Sequence, residues 1–239
     1  FLASFKDLLL DAEANETAAN FVRGKIRETV QDPEVAELLS PNNVIGCKRI
    51  CVDTGYWDTF NRANVQLIDV NTTPIKLIDE NGVITSEQKF KLDALVLATG
   101  FDAMTGALLN IDVRGRSGIR LQEKWAHGPK SYLGLSIAEF PNMFTITGPG
   151  SPSVLTNMLP SIEQHVEWIA DCISHMNQQG IQCIEAEQDA EDNWVQHVNE
   201  VADLSLRSTC NSWYVGANIE GKARVFMPYI GGFPRYVEK

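Results

Sequence analysis

Apolar residues recur at helical spacing through the first forty residues. The spacing begins at Leu2 and continues as a stripe from Ala18 to Val30, with Asn15 as a candidate N-cap for the helix that carries the stripe. The tripeptide Asp-Pro-Glu at 32–34 then supplies a cap, a first-turn proline and an acid that matches the helix dipole. A second, short helix is therefore predicted to end near Ser40.

Short apolar runs predict strands in the middle of the chain. Residues 92–98 show no alternation of apolar and polar positions and stop at Ala-Thr-Gly, a pattern that predicts a parallel strand buried on both faces. Residues 65–70 and 142–147 predict two further strands. Residues 74–85 predict a hairpin, because Asn-Gly between its apolar arms suits a tight turn with positive φ.

Helical spacing returns after a glycine turn at residues 148–150. A helix is predicted from Pro160 to Met176, with its N-terminus directed at the glycine turn, where N–H groups and the helix dipole suit a carbonyl or an anion. Gly180 is expected to end this helix, and residues 192–207 predict another. The stripe expected to be buried on the first helix is Ile162, Val166, Ile169, Ile173 and Met176.

Charge and cysteine content narrow the class of protein. A net charge of −11 and a pI of about 4.8 argue against nucleic acid or an anionic membrane as a partner, and favour small molecules. The five cysteines form no Cys-x-x-Cys pair, so reduced thiols are expected and a zinc site is not. His165 is expected to be a solvated or satisfied core histidine. No apolar run is long enough to span a membrane, and a cytoplasmic location is expected.

The small-residue motifs do not identify a reaction by themselves. The segment from Gly148 to Ser153 imitates a dinucleotide fingerprint, yet Ser153 stands where the third glycine should be. Neither Ser151 nor Ser153 has the flanking glycines of a nucleophile elbow. The residues alone indicate an α/β chain with two strand ends near a ligand edge. From the residues alone, a solvated cation is the default interpretation of Arg49, and a core position is the default interpretation of Trp213.

Several motifs in a fixed order make the chain resemble a known family over essentially all of its 239 residues. The motifs are Gly46-Cys-Lys-Arg49, Gly55-Tyr-Trp-Asp-Thr-Phe-Asn-Arg62, Asp93-Ala-Leu-Val-Leu-Ala-Thr-Gly-Phe-Asp-Ala103, Ser131-Tyr-Leu-Gly-Leu-Ser136, Phe140-Pro-Asn-Met-Phe144, Ser161-Ile-Glu-Gln-His-Val-Glu-Trp168 and Ser212-Trp-Tyr-Val-Gly-Ala-Asn218. Together they resemble the C-terminal half of Baeyer–Villiger monooxygenases, in the branch of the phenylacetone and cyclohexanone enzymes.

The resemblance implies a flavoprotein with two Rossmann-like domains, for FAD and for NADP, and a helical insertion. Residues 1–47 would then be the end of the insertion, 48–100 the C-terminal part of the NADP-binding domain, and 101–239 the C-terminal part of the FAD-binding domain. Enzymes of this family use NADPH, FAD and O₂ to insert one oxygen atom into a ketone through a peroxyflavin, which gives an ester or a lactone.

The resemblance also implies roles for individual residues. Arg49 matches the catalytic arginine, whose permanent charge suits an anionic intermediate. The remaining expected residues fall into two groups. Those expected to bind a cofactor are Lys48, Thr99, Gly100, Met158, Leu159 and Trp213, and those expected to line the substrate pocket are Ser153, Val154, Leu155 and Met227.

The family's two glycine-rich fingerprints are missing from this chain. We therefore expect that the chain needs an N-terminal half as a partner, and that without it neither FAD nor NADP is bound tightly. Two other functions stay open. One is a non-catalytic fragment that acts as a binding or interaction module, and the other is a related flavin N- or S-oxygenase.

Overall fold

A computed structural model describes residues 5–239, so that Leu2 lies outside the described residues. The chain forms two compact units. The large unit comprises Phe1–Ala12, Val44–Arg49 and Phe101–Lys239, and the small unit comprises Glu13–Asn43 and Ile50–Gly100.

The helices of the small unit are α1 (Ala12–Thr29), α2 (Pro33–Leu39) and α3 (Tyr56–Thr59). Ile26, Val30 and Ala36 form their buried core. The predicted cap of α2 is confirmed, because the Asp32 carboxylate accepts hydrogen bonds from the Glu34 and Val35 N–H groups at 2.9 and 3.3 Å.

The first helix differs from its prediction at the N-terminus. It begins at Ala12, so that Asn15 lies inside the first turn and is buried instead of capping it. Residues 5–11, which the helical spacing from Leu2 would include, form turns.

The predicted hairpin is confirmed in the small unit. Strands β1 (Ile75–Asp79) and β2 (Gly82–Thr85) pair antiparallel, and β3 (Lys89–Lys91) pairs with the other edge of β2. Gly82 has a φ of 144°, and a Cβ there would lie 1.9 Å from the Phe90 carbonyl oxygen. This position therefore requires glycine, as the Asn-Gly signal predicted.

Three predicted strands are wrong for this chain. Residues 65–70 and 92–100 form neither strand nor helix, and in the second segment Val96 is 84% exposed. A parallel strand buried on both faces needs strands beside it, and none of the described residues supplies them. In the third segment, 142–147, Asn142 and Thr147 have positive φ values of 58° and 53°, which a strand does not allow.

The regular elements of the large unit are helices joined by turns and irregular segments. Its helices are α4 (Gly106–Leu109), α5 (Leu121–Lys124), α6 (Met158–Gln179), α7 (Gln188–Asp203) and α8 (Phe233–Val237). Short 3₁₀ turns occupy Arg116–Gly118, Ser153–Leu155 and Trp213–Val215. One core joins Trp194 and Val198 of α7 to Tyr236 of α8, and a second surrounds Tyr214 and Phe226.

The long helix α6 is confirmed, and Gly180 ends it with a φ of 67°. Its predicted buried stripe is wrong at Val166 and Ile173, which are exposed, while Ser161 and His165 are buried. The other stripe residues, Ile162, Ile169 and Met176, are half-buried, and Ile169 packs on the core around Trp194. The next helix, α7, covers Gln188–Asp203, four residues earlier than predicted at each end.

None of the five cysteines forms a disulfide within the described residues. No helix within residues 5–239 combines the length and the hydrophobicity that crossing a membrane requires.

Candidate functional site

Arg49 ends a six-residue segment, Val44–Arg49, that forms neither helix nor strand in the large unit. We call it the Arg49 segment. Gly46 turns the chain with a φ of 84° and is buried. The Arg49 guanidinium Nη1 donates a hydrogen bond of 2.7 Å to the Val154 carbonyl oxygen. The structure thus brings the expected catalytic residue next to an expected pocket residue, 105 positions away along the chain.

The turn that receives Arg49 is under backbone strain. Ser153 has a φ of 44°, which non-glycine residues rarely adopt. Its hydroxyl contacts the Met104 sulfur at 3.8 Å. The Ser153–Leu155 turn directly precedes α6, so that the Arg49 contact lies close in sequence to the N-terminus of that helix.

The N-terminus of α6 contains Met158 and Leu159. Asn157 caps the helix, since its side-chain oxygen accepts from the Leu159 N–H at 3.2 Å. Leu159 is 69% exposed, and the first turn of the helix is therefore accessible. Aligned peptide dipoles over a helix of 22 residues give this end partial positive charge.

Trp213 lies on the turn Trp213–Val215 and is half-buried. Its ring contacts the Tyr214 ring, with 4.3 Å between centroids. Val154, Leu155 and Trp213 pack on the same buried cluster around Tyr214. Two expected pocket residues and one expected cofactor residue therefore share one core.

Met227 forms backbone hydrogen bonds with the Trp213–Val215 turn and with the glycine turn. Its N–H donates to the Tyr214 carbonyl oxygen at 2.9 Å, and its own carbonyl oxygen accepts from the Gly150 N–H at 2.7 Å. Met227 also lines a cavity of about 220 Å³ with Gly150 and Trp194.

Close packing of the backbone around the glycine turn leaves no room for a side chain at Gly148. A Cβ on Gly148 would lie 2.6 Å from the Thr145 hydroxyl oxygen and 2.7 Å from the Gly134 carbonyl oxygen. Glycine is needed there because backbone approaches backbone, which agrees with the absence of a dinucleotide fingerprint at this position.

Three expected cofactor residues do not belong to this cluster. Lys48 is exposed beside Arg49. Thr99 and Gly100 belong to the small unit, where both are exposed and Gly100 has a φ of 83°. Their roles stay predictions.

Sequence reasoning missed one residue that contacts the Arg49 segment and one residue in the buried cluster beside it. Arg207 Nε donates to the Gly46 carbonyl oxygen at 3.0 Å, and Arg207 belongs to none of the quoted motifs. Tyr214 is fully buried, and burial raises its pKa while the positive charges of Arg207 and Arg49 oppose the rise. Tyr214 belongs to the motif Ser212–Asn218, but the motif assigned it no role.

A second missed connection follows Gly100. Lys222 pairs with the Asp102 carboxylate, and Asn218 Nδ2 donates to the Phe101 carbonyl oxygen at 3.0 Å. Residues 101–102 are therefore fastened to the loop that follows Trp213. Asp102 and Asn218 each belong to one of the quoted motifs, but no pattern in the sequence indicated these contacts.

No family model matches the chain. Two curated relatives are each 42% identical over 234 residues, a cyclohexanone 1,2-monooxygenase from Acinetobacter sp and a Baeyer-Villiger monooxygenase from Pseudooceanicola batsensis. A phenazine N-monooxygenase from Lysobacter antibioticus is 39% identical over 237 residues. A solved steroid monooxygenase with NADP bound superposes with a TM-score of 0.89 at 51% identity.

These matches cover 98% of this chain, or 99% for the N-monooxygenase. By sequence and by fold, the chain matches the C-terminal half of Baeyer–Villiger monooxygenases. It spans 42 to 43% of the length of these curated relatives and 44% of the steroid enzyme. The predicted α/β flavoprotein class is thereby confirmed, although the described residues contain only the three-stranded antiparallel sheet.

Proposed function

We propose that this chain is the C-terminal part of an NADPH- and FAD-dependent monooxygenase that inserts one atom of O₂ into a ketone and forms an ester or a lactone. The observation that carries the proposal is the contact of Arg49 with the Val154 carbonyl oxygen. It keeps a permanent positive charge at the turn before α6, among the residues expected to line the pocket.

FAD and NADP are the cofactors of this proposal. The accessible first turn of α6 fits the carbonyl edge of a flavin, because Met158 and Leu159 would present backbone N–H groups and the positive end of the helix. Lys48, Thr99, Gly100 and Trp213 would contact NADP. Bound in its reduced form at these residues, FAD would provide the electrons that activate O₂.

This chain's own residues supply binding and charge. A guanidinium is permanently charged, so Arg49 would stabilise a developing oxyanion without quenching a nucleophile. Ser153, Val154, Leu155 and Met227 would shape the pocket and exclude water. Trp213, half-buried on the Tyr214 ring, would cover the nicotinamide cofactor.

The partner in this proposal is an N-terminal half. Val96 and Phe101 are 84% and 88% exposed although both are large and apolar, as expected for a segment that pairs with strands supplied from outside these residues. In domain terms, residues 1–47 would belong to a helical insertion, 48–100 to the NADP-binding domain and 101–239 to the FAD-binding domain. A cytoplasmic location is part of the same proposal.

The proposal is tested by absorbance and turnover. We define the completed enzyme as this chain preceded by an N-terminal half, either its own or that of the Acinetobacter sp relative. The purified 239-residue chain should be colourless between 350 and 500 nm and should not consume NADPH with cyclohexanone. The completed enzyme should show a flavin band and form the lactone. A completed enzyme that binds FAD but oxidises no ketone would contradict the proposal.

A second candidate is nitrogen oxygenation by the same cofactors, which the phenazine N-monooxygenase relative favours. The completed enzyme should therefore also be offered phenazine. Turnover of phenazine without turnover of any ketone would assign the chain to that reaction.

A further inference from the structure

Two residues with strained backbones contact each other in the large unit. Met104 has a φ of 70° and Ser153 a φ of 44°, values that residues other than glycine rarely adopt. The two residues are 49 positions apart, and the Ser153 hydroxyl oxygen lies 3.8 Å from the Met104 sulfur. A strained conformation persists only where tertiary contacts hold it, and such residues cluster at active sites and ligand clamps. The strained pair therefore indicates a functional position.

The Ser153 hydroxyl is already engaged within the protein. Ser153 is 2% exposed, and its hydroxyl contacts the Met104 sulfur, so little of it is left to contact a ketone. Met104 is half-buried, and part of the residue is accessible. Of the two residues, Met104 therefore offers the larger accessible surface to a ligand.

The Met104 contact lies one residue away from the Arg49 contact. Ser153 touches Met104, and the carbonyl oxygen of the next residue, Val154, accepts from the Arg49 guanidinium at 2.7 Å. The Ser153–Leu155 turn therefore links Met104 to the positive charge that the proposed function places at the reacting carbonyl.

The backbone beside Met104 is held by the large unit. The Lys222 ammonium donates to the Ala103 carbonyl oxygen at 2.9 Å and pairs with the Asp102 carboxylate. Gly106 packs so closely that a Cβ there would lie 2.6 Å from the Asp102 Cβ. Because these contacts do not involve the Met104 side chain, a substitution at Met104 should alter the local surface more than the path of the chain.

We infer that Met104 is a specificity-determining residue, whose side chain forms a wall of the ketone pocket beside the Ser153–Leu155 turn and limits the size of the ketone. The inference rests on the proposed function and deepens it. Methionine suits such a wall, because its unbranched, polarizable thioether adapts to ligands of different shape. One methylene more or less in an apolar pocket changes kcat/KM by about tenfold or more, so a single wall residue can set a size limit.

Two ketones of different size measure this limit. The completed enzyme and its variants are offered cyclohexanone and 4-phenylcyclohexanone, and we define the preference as kcat/KM for the larger ketone divided by kcat/KM for the smaller. Met104→Ala should raise the preference about tenfold, because it removes the thioether from the wall. For cyclohexanone, kcat should stay within about twofold of the parent value, because Arg49 keeps its contact with Val154.

Further variants separate side-chain volume from backbone strain. Met104→Leu retains the volume and should retain the parent preference. Met104→Gly removes the side chain and suits a φ of 70°, so it should fold at least as well as Met104→Ala and show the same raised preference. Met143→Ala is the matched control, because Met143 is half-buried but packs on the core around Trp125. The control should keep the parent preference.

A purely structural role of Met104 would give a different result. It would change kcat/KM for both ketones alike, and an unchanged preference in FAD-bound Met104→Ala and Met104→Gly would overturn the inference. An equal rise in Met143→Ala would overturn it too. Failure of the proposed function is distinct, because the parent completed enzyme would then bind FAD and oxidise neither ketone, and the inference would fall with it.

Discussion

His165 and Tyr236 form a buried hydrogen bond between α6 and α8, with 2.8 Å between His165 Nε2 and Tyr236 Oη. The Thr147 N–H donates to His165 Nδ1 at 2.9 Å, and the Tyr236 hydroxyl donates to the Leu133 carbonyl oxygen at 2.5 Å. Because Nδ1 accepts, the neutral ring carries its proton on Nε2 and donates it to Tyr236. The expectation that His165 is a satisfied core histidine is confirmed.

This network makes stability depend on pH. Desolvation lowers the pKa of His165 to about 4, from 6.5 in the unfolded chain. As the pH drops, the unfolded state therefore binds a proton before the folded state does. The free energy of unfolding is at its maximum above pH 6.5 and falls as the pH drops toward 4. Between pH 7.5 and 5 the free energy of unfolding should fall by about 2 kcal/mol.

Urea unfolding of the chain at the two pH values, followed by tryptophan fluorescence, measures this dependence. His165→Gln should be less stable at pH 7.5 but should lose most of the pH dependence, whereas His175→Gln, at an exposed position of the same helix, should behave like the parent. An equally large pH effect in His165→Gln would assign the proton to another group.

A buried ion pair provides the second prediction. Lys124 Nζ lies 2.9 Å from Glu191 Oε2, and the two side chains are 6% and 0% exposed. Glu191 Oε1 also accepts from the Ala138 N–H at 2.9 Å. Glu191→Leu should cost about 3 to 5 kcal/mol, because it leaves a buried ammonium without its main partner.

Chemical denaturation compares this variant with two others. Lys124→Met combined with Glu191→Leu should recover much of the loss. Asp112→Asn, which breaks an exposed pair with Arg114, should cost less than about 1 kcal/mol. A loss below about 1 kcal/mol in Glu191→Leu would contradict the burial of this pair.

The hairpin provides the third prediction. Gly82→Ala would bring a Cβ to 1.9 Å from the Phe90 carbonyl oxygen at a φ of 144°. It should cost on the order of 3 kcal/mol or disorder β2 and β3. Gly221→Ala has positive φ but no atom within 4 Å, so about 1 kcal/mol is expected there. Amide hydrogen exchange in 75–91 would locate the effect, and unchanged protection would contradict it.

Local signals in the sequence predicted the local structure. The Asp32 cap, the Asn-Gly turn and Gly180 each act through neighbouring backbone atoms, and all three are confirmed. The strand at 92–100 failed for a physical reason, since a parallel strand takes its hydrogen bonds from strands distant in sequence. The stripe on α6 is buried only in part, because periodicity reveals an apolar face but not how much of it this chain covers.

The residues of the candidate site were likewise predicted only in part from the sequence. Arg49, Val154, Leu155, Trp213 and Met227 were expected from the family resemblance, and they lie in one unit around Tyr214. Arg207 was missed, because its contact with the Gly46 carbonyl oxygen crosses 161 positions and follows no motif. A contact of this kind is visible only in the tertiary structure.

Trp213 provides the fourth prediction. In the completed enzyme, Trp213→Ala should weaken NADP retention about three- to tenfold, as expected for the loss of one aromatic contact, and should increase release of hydrogen peroxide per NADPH consumed. Trp213→Phe should retain part of both. Parent-like coupling in Trp213→Ala would return Trp213 to the role of a core residue on Tyr214.

The role of Arg49 is tested most directly by ester formation in the completed enzyme and in its Arg49→Ala variant. Product from cyclohexanone, quantified by gas chromatography at saturating NADPH and O₂, should fall by about 10²-fold or more in the variant, while the flavin absorbance band remains. Arg49→Lys should recover little, because an ammonium lacks the planar fork and can lose its proton. Product at the parent rate from Arg49→Ala, with FAD bound, would contradict the account and leave Arg49 a solvated cation.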